Sequence, residues 1–365
     1  MIARQFTSKT VLPMILIAVV ITPSLSAQIA TGQSSPARTS HSLSSFGVIS
    51  PLLTPTAYDL LPLTGICADY LLLYDSGSPE NWYAWDAFWL KEMVEMKTKG
   101  YNVPMLNFHF TSSYTTSGSL YDEAKFDRVL DIFTSAGLSS VIASHFNEYP
   151  TPQGDSESQL VWDGWIQFTK HHIGDSRIAA VDIYNEPSLK TMTLPNSSPA
   201  DRLRQTQYFA DLTRAIHQID PNRVVVFPPG FMYWSSFSAW LNDLEATGIL
   251  NEPNVAFDVH HPYYWDWSCP YPWDAGTTPE QKAANYMSEY FTPLANRVGY
   301  NRVWCGGTSG WADGTTDDNL QRRWVIAMTN EFVDHNIGFT ITPCFGTPSN
   351  WQKNEEALLA SNYGK

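Results

Sequence analysis

From Leu61 onward, the apolar positions of this chain switch back and forth between two periods. Short apolar runs, too short for helices and bounded by breakers, predict buried strands. They lie at Leu63–Tyr70, Val103–Phe110, Ser139–Ser144, Ile178–Tyr184, Arg223–Pro228, Val255–His260, Arg302–Gly306 and Gly338–Pro343. The segments between them carry the stripe of amphipathic helices. Ala84–Lys99 has Phe88, Met93 and Met96 on one face and stops at Gly100. Asp122–Ala136 has Phe126, Val129, Leu130 and Phe133 and stops at Gly137. Further helices are expected at Leu160–His172, Pro199–Ile219, Pro279–Arg297, Asp317–Asn336 and Glu355–Leu359. Strands that alternate with helices, with no strand–strand hairpin, predict a parallel sheet. The fold class is therefore α/β, a (β/α)8 TIM barrel, with an open doubly wound sheet as the alternative. No Gly-rich phosphate turn follows the first strand, so a nucleotide-binding sheet has no support and no nucleotide is expected.

The N-terminal stretch has another character. Arg4 and Lys9 precede an apolar run, Val11–Ile21, and then the small residues of Ser24–Ala27. That order predicts a secretory signal over 1–27, with an uncleaved anchor as the alternative. At 11 residues the run is short for a membrane span. Residues 28–57, rich in Ser, Thr and Pro, are expected to be a flexible tether, and 58–365 a single domain. The location this predicts is secreted or cell-surface, with no membrane attachment once the signal is removed. A net charge of −14 argues against nucleic acid and anionic lipid as partners. The four cysteines, Cys67, Cys269, Cys305 and Cys344, lack metal-site spacing, and no metal or other cofactor is expected. Export permits disulfides; small buried core residues account for the cysteines equally well.

Candidate chemistry gathers where the expected strands end. The run Ile178–Ile183 leads into Asn185-Glu186-Pro187, and Pro187 stops the strand because it has no N–H for a sheet. This leaves an amide and a carboxylate at a C-terminal strand end, where barrel enzymes keep their active sites. A second Asn-Glu-Pro, Asn251–Pro253, precedes a strand and is expected at the opposite end. Strand three leads into His145, Asn147 and Glu148, strand six into His260, His261, Tyr263 and Trp265, and strand seven into Gly307 and Trp311. A lone histidine is more often a satisfied core group. Several polar groups at successive strand ends converge on one cleft, rimmed by Trp265, Trp267, Trp273 and Trp311. With 14 Trp and 18 Tyr, the chain has rings to stack on flat ligands. Such a cleft suits a sugar polymer, and a carboxyl beside apolar rings has its pKa raised toward that of a proton donor.

These residues carry a resemblance. Gly100-Tyr-Asn102, His145, Asn185-Glu186-Pro187, His261-Pro-Tyr263 and Val303-Trp-Cys-Gly306 resemble the motifs of glycoside hydrolase family 5, the cellulase and mannanase barrels. The resemblance runs from about Leu61 to the C-terminus. It implies that Glu186 is the general acid/base and that Asn185 holds the sugar 2-hydroxyl. It also implies that His145, His261 and Tyr263 line the cleavage subsite. Trp311, on the rim of the cleft, is a further candidate for substrate binding by its position alone. The implied partner is a β-linked oligo- or polysaccharide, a β-glucan or mannan.

The chain departs from that family at three places. The family's nucleophile is a Glu directly after the Gly that ends strand seven, and here that position is Gly307. The family's strand-two Arg falls at or beside Met105, and the Trp that ends strand eight has no counterpart among Thr340–Phe345. Two functions follow from these facts. One is a hydrolase in which Asp313 or Glu148 replaces the nucleophile. The other is a carbohydrate-binding barrel that has lost turnover. A structural surface protein is a third, more distant reading.

Overall fold

The computed structural model describes residues 64–66, 105–108, 123–138, 141–146, 156–185, 198–228, 237–259, 278–308, 318–341 and 356–363, with isolated positions between 94 and 121 and at 353. All of these belong to one compact unit spanning 52–365. The expected signal and tether lie outside the described residues, as does most of the expected helix Ala84–Lys99.

Eight strands are described: β1 Thr64–Ile66, β2 Met105–Phe108, β3 Val141–Phe146, β4 Ile178–Asn185, β5 Val224–Phe227, β6 Val255–Asp258, β7 Val303–Thr308 and β8 Gly338–Ile341. They form one sheet in the order β1-β8-β7-β6-β5-β4-β3-β2, with every pairing parallel. The strands at the two ends of this order, β1 and β2, are consecutive in the chain. That is the strand order of a (β/α)8 barrel.

Among the described residues the α-helices between these strands are α1 Glu123–Ser135, α2 Ser156–His171, α3 Pro199–Ile219, α4 Phe237–Thr247, α5 Pro279–Tyr286, α6 Thr292–Val298 and α7 Asp318–His335. Their ends follow local chemistry. The Ser198 hydroxyl caps α3 by accepting the Asp201 N–H at 3.1 Å, and Pro199 sits at the first helical position, where its missing N–H costs nothing. Helix α1 ends at Gly137, whose φ of +79° suits glycine and lets the Leu138 N–H reach back to the Phe133 carbonyl at 3.0 Å.

Two elements differ from the sequence reading. The single helix expected over Pro279–Arg297 is divided by a π-helical turn, Met287–Phe291, just before Pro293. Pro293 has no N–H to give and crowds the preceding turn, so the regular ladder is interrupted there. Helix α4 was not anticipated. Its signal is present: Phe237, Trp240, Leu241 and Leu244 repeat at helical spacing, are all buried, and are followed by Gly248.

The core has two compartments. Val103, Met105, Ala180, Val224, Val226, Ala256 and Trp304 fill the barrel interior. The alternate strand residues, among them Val181, Ile183, Val225, Phe257, Cys305 and Phe339, pack outward against the helices. This is the period-2 alternation of strands with both faces buried.

Register is regular except near β4 and β7. Val141 pairs with Ile178 but Ile142 with Ala180. Higher up, Ser144 pairs with Asp182 and Phe146 with Asn185, so β4 holds an extra residue there. Cys305 pairs with Phe339 and Thr308 with Ile341, so β7 holds an extra residue in Gly306–Gly307. Bulges are rare in parallel pairs and concentrate beside functional sites, where they re-aim side chains.

Candidate active site at the C-terminal strand ends

The upper bulge of β4 is fixed from outside the barrel. The Trp165 indole N–H donates to the Ile183 carbonyl at 2.9 Å, and Tyr184, fully buried, packs its ring 5.6 Å from Phe209. Ile183 and Tyr184 therefore both face the helices, which breaks strict alternation. Trp165 is itself held by Phe110 and Phe168, at ring separations of 5.2 Å each. Phe110 lies so close to α2 that a Cβ on Gly164 would sit 2.3 Å from its ring, so any side chain there must displace the ring. Asn185 ends β4 on this anchored base, and Glu186 is the next residue in the chain.

At β7 the support comes from inside. Asp182 and Asp258 share the inward parity of Ala180 and Ala256 on their strands, and both are fully buried. The Asp258 carboxylate accepts the Gly306 N–H at 2.7 Å, and the Thr340 hydroxyl donates to the Gly306 carbonyl. Both backbone groups of Gly306 are thus taken by side chains of neighbouring strands. A hydrogen bond to a buried charged acceptor contributes about 1.5–3 kcal/mol, enough to hold a bulge against relaxation. On the other face the Cys305 thiol donates to the Gly307 carbonyl at 3.5 Å. Burial, and then the Asp258 charge, push the Cys305 pKa well up, so it stays a neutral thiol. Cys305 is free and buried, a core residue; the other three cysteines lie outside the described residues.

The residues singled out from sequence are distributed as follows. His145 is the penultimate residue of β3, and its backbone pairs with Phe108. Asn185 ends β4, and its backbone pairs with Phe146. Gly307 is buried inside β7, which runs two residues beyond the expected end at Gly306. Met105 packs in the apolar barrel interior. Glu186, His261, Tyr263 and Trp311 lie outside the described residues. The second Asn-Glu-Pro, Asn251–Pro253, precedes β6, and Glu252 pairs with Arg214 at 2.9 Å. Sequence reasoning did not single out Asp258, Asp182, Thr340 or Trp165. For Asp258 the available signal was a charged residue at an inward-parity position of an otherwise apolar strand.

The family model for cellulase, glycosyl hydrolase family 5, matches residues 73–357, and the chain belongs to that family. Among solved structures, a trimodular GH5_4 subfamily endoglucanase is similar at TM-score 0.62 and 16% identity, over 84% of this chain and 61% of that one. This chain therefore spans less than two thirds of that multimodular enzyme. An endocellulase from Pyrococcus horikoshii, solved with cellotetraose, is similar at TM-score 0.56 and 15% identity, over 74% of this chain and 85% of that one. A family 5 enzyme from Prevotella bryantii B14, in complex with a xyloglucan tetradecasaccharide, is similar at TM-score 0.58 and 15% identity, over 84% and 98% of the two chains. No curated protein matches the sequence. At these identities the structural likeness speaks for the fold.

Proposed function

We propose that this chain is an exported family 5 protein that binds β-linked glucan or mannan in the cleft at the C-terminal strand ends. In this reading Glu186 is the general acid/base and Gly307 occupies the place of the nucleophile, so hydrolysis is very slow. The observation that carries the reading is Gly306–Gly307 within β7: residues 303–310 hold no carboxylate. Asp258 lies beside this segment but is fully buried and engaged by the Gly306 N–H, so it supports the strand instead of facing a sugar.

Retaining glycosidases need an acid/base and a nucleophile about 5–5.5 Å apart. Without the nucleophile, the oxocarbenium-like transition state loses its covalent partner and its nearest negative charge. A group that acts only in the transition state lowers kcat when it is lost. Asn185, His145, His261 and Tyr263 remain to bind sugar hydroxyls, with Trp311 as a stacking ring. The second reading, binding without turnover, is favoured by Met105: at the level of the family's strand-two Arg this chain has an apolar residue in the barrel interior.

Hydrolysis of an aryl β-cellobioside separates the two readings. The expected result is very slow wild-type turnover, acceleration by azide with inverted product, and measurable retaining hydrolysis in Gly307→Glu. Fast wild-type turnover overturns the proposed role of Gly307 and points to Asp313 or Glu148 as the second carboxylate. Tryptophan fluorescence titrated with cello-, xyloglucan- and manno-oligosaccharides tests binding, and no response at millimolar sugar rules it out. Export is checked by the N-terminus of the mature protein, expected near Ala27. Among the described residues no helix is long and apolar enough to cross a membrane.

A further inference from the structure

The outer face of the barrel between α1 and α2 carries a donor cluster that the sugar chemistry does not use. His171 ends α2, and its Nε2 lies 3.0 Å from Oδ2 of Asp127 on α1. His172 Nδ1 lies 3.9 Å from Oδ1 of the same carboxylate. One ligand atom from each residue falls within 4.8 Å of the other two. A tetrahedral ion with nitrogen and oxygen ligands at about 2.0–2.2 Å holds any two of them about 3.3–3.5 Å apart. His171 Nε2 and Asp127 Oδ2 are already 3.0 Å apart and the three ligand atoms lie within 4.8 Å of one another, so side-chain adjustment closes the site.

Local charge favours a cation. Among the described residues, Glu123, Asp127, Asp131 and Asp175 surround the cluster, and Arg177 pairs with three of them. Arg177 Nη2 holds Asp127 Oδ1 at 3.0 Å and Asp175 Oδ2 at 2.7 Å. That leaves Asp127 Oδ2 facing His171 as an oriented single-oxygen ligand, the arrangement in which an outer partner fixes a metal-binding carboxylate. Two imidazoles select a zinc-class ion over calcium or magnesium, which take all-oxygen sites. Asp127 and His171 are about one-third exposed, at 34% and 36%, which leaves an entry path, while His172 is 2% exposed.

The surroundings of the His172 ring set which of its nitrogens can face an ion. Its Nε2 is buried with no hydrogen-bond partner, beside the Phe168 and Phe126 rings at 4.5 and 5.4 Å. The ring proton therefore belongs on Nδ1, facing Asp175 Oδ2 at 3.4 Å, until an ion claims that nitrogen. On binding, the Nδ1 proton leaves to solvent and Nε2 gains one from solvent, against the aromatic faces. We propose that Asp127, His171 and His172 form a zinc-class divalent metal site, completed by water, that staples α1 to α2 on the outside of the barrel.

The test is calorimetric titration of the chelator-treated full-length protein with zinc chloride, with calcium chloride in parallel. One equivalent of zinc is expected to bind, with no calcium competition and a higher Tm. Asp127→Asn and His171→Gln are each expected to weaken binding by at least about tenfold while leaving the circular dichroism unchanged. The 15N shifts of His172 are expected to move to the Nε2-protonated tautomer as zinc is added. Stoichiometric binding that survives both substitutions would place the ion on other histidines and overturn the proposal. So would the absence of binding at high micromolar zinc, or saturation with the His172 tautomer unchanged.

Discussion

The two ends of the barrel are built on opposite principles. At the N-terminal end, arginines at the strand starts bind backbone carbonyls. Arg223, directly before β5, donates to the carbonyls of Ile178, His172 and Asp175 at 2.5, 2.7 and 3.3 Å and pairs with Asp220 at 3.0 Å. Arg302, directly before β7, donates to Val255, Leu250 and Glu252 at 2.8, 2.9 and 2.9 Å. Both sit in the same local sequence, Asn222-Arg223-Val224 and Asn301-Arg302-Val303. At the C-terminal end, β4 and β7 are bulged and a buried carboxylate, Asp258, holds strand backbone. Cations that satisfy carbonyls close and stiffen the lower end. Bulges and a carboxylate that holds an N–H shape the upper end. The difference teaches a division of labour between cross-bracing at the lower end and backbone shaping at the upper one, the arrangement expected when chemistry sits only at the C-terminal face.

The sharpest way to break that separation is Arg223→Met. It leaves Asp220 uncompensated and strips carbonyls of their donor, so unfolding free energy should fall by about 3–5 kcal/mol in a denaturant titration. Oligosaccharide affinity should be unchanged; a parallel loss of binding would mean the two ends are coupled. Asp258→Ala should show the reverse weighting. Leaving the Gly306 N–H unpaired costs about 1–3 kcal/mol. Relaxation of the β7 bulge should weaken oligosaccharide binding by at least the tenfold that about 1.4 kcal/mol represents. Gly164→Ala tests the outer anchor of β4. Overpacking against Phe110 costs about 1–3 kcal/mol, partly offset by the roughly 1 kcal/mol that alanine gains over glycine in a helix. A small net destabilisation with altered sugar binding is expected. Unchanged binding would detach the Trp165 anchor from the site.

The smallest effect is the pH dependence of the lower end. Burial holds the His217 pKa below its ordinary 6.5, while its Nε2 lies 3.0 Å from the Arg223 carbonyl, an acceptor that requires the N–H on that nitrogen. As pH falls below 6.5 the unfolded chain takes up this proton before the folded chain does. The stabilisation is therefore complete above that pH and declines below it. His217→Gln should flatten the decline in thermal unfolding measured from neutral to mildly acidic pH. A profile identical to wild type would assign the pH dependence to other groups.

The chain's own pattern determined what depends on near neighbours. Strand positions could be read because parallel strands buried on both faces are continuous apolar runs, as in Ile178–Tyr184 and Val255–Phe257. The limits of α3 at Pro199 and Ile219 could be read because Ser198 and Pro199 fix its start through adjacent groups. The family could be read because its motifs are short and contiguous. What tertiary structure alone decided are relations across long separations. The β7 bulge exists only against β8, so the strand was expected to end at Gly306 when in fact it carries Gly307 on to Thr308. The Asp258–Gly306 bond joins residues 48 apart, and the Asp127–His171 pair residues 44 apart. Periodicity reports which face a residue occupies over a few turns. It carries nothing about which distant backbone group waits on that face, because that is set by strand order and shear once the barrel has formed.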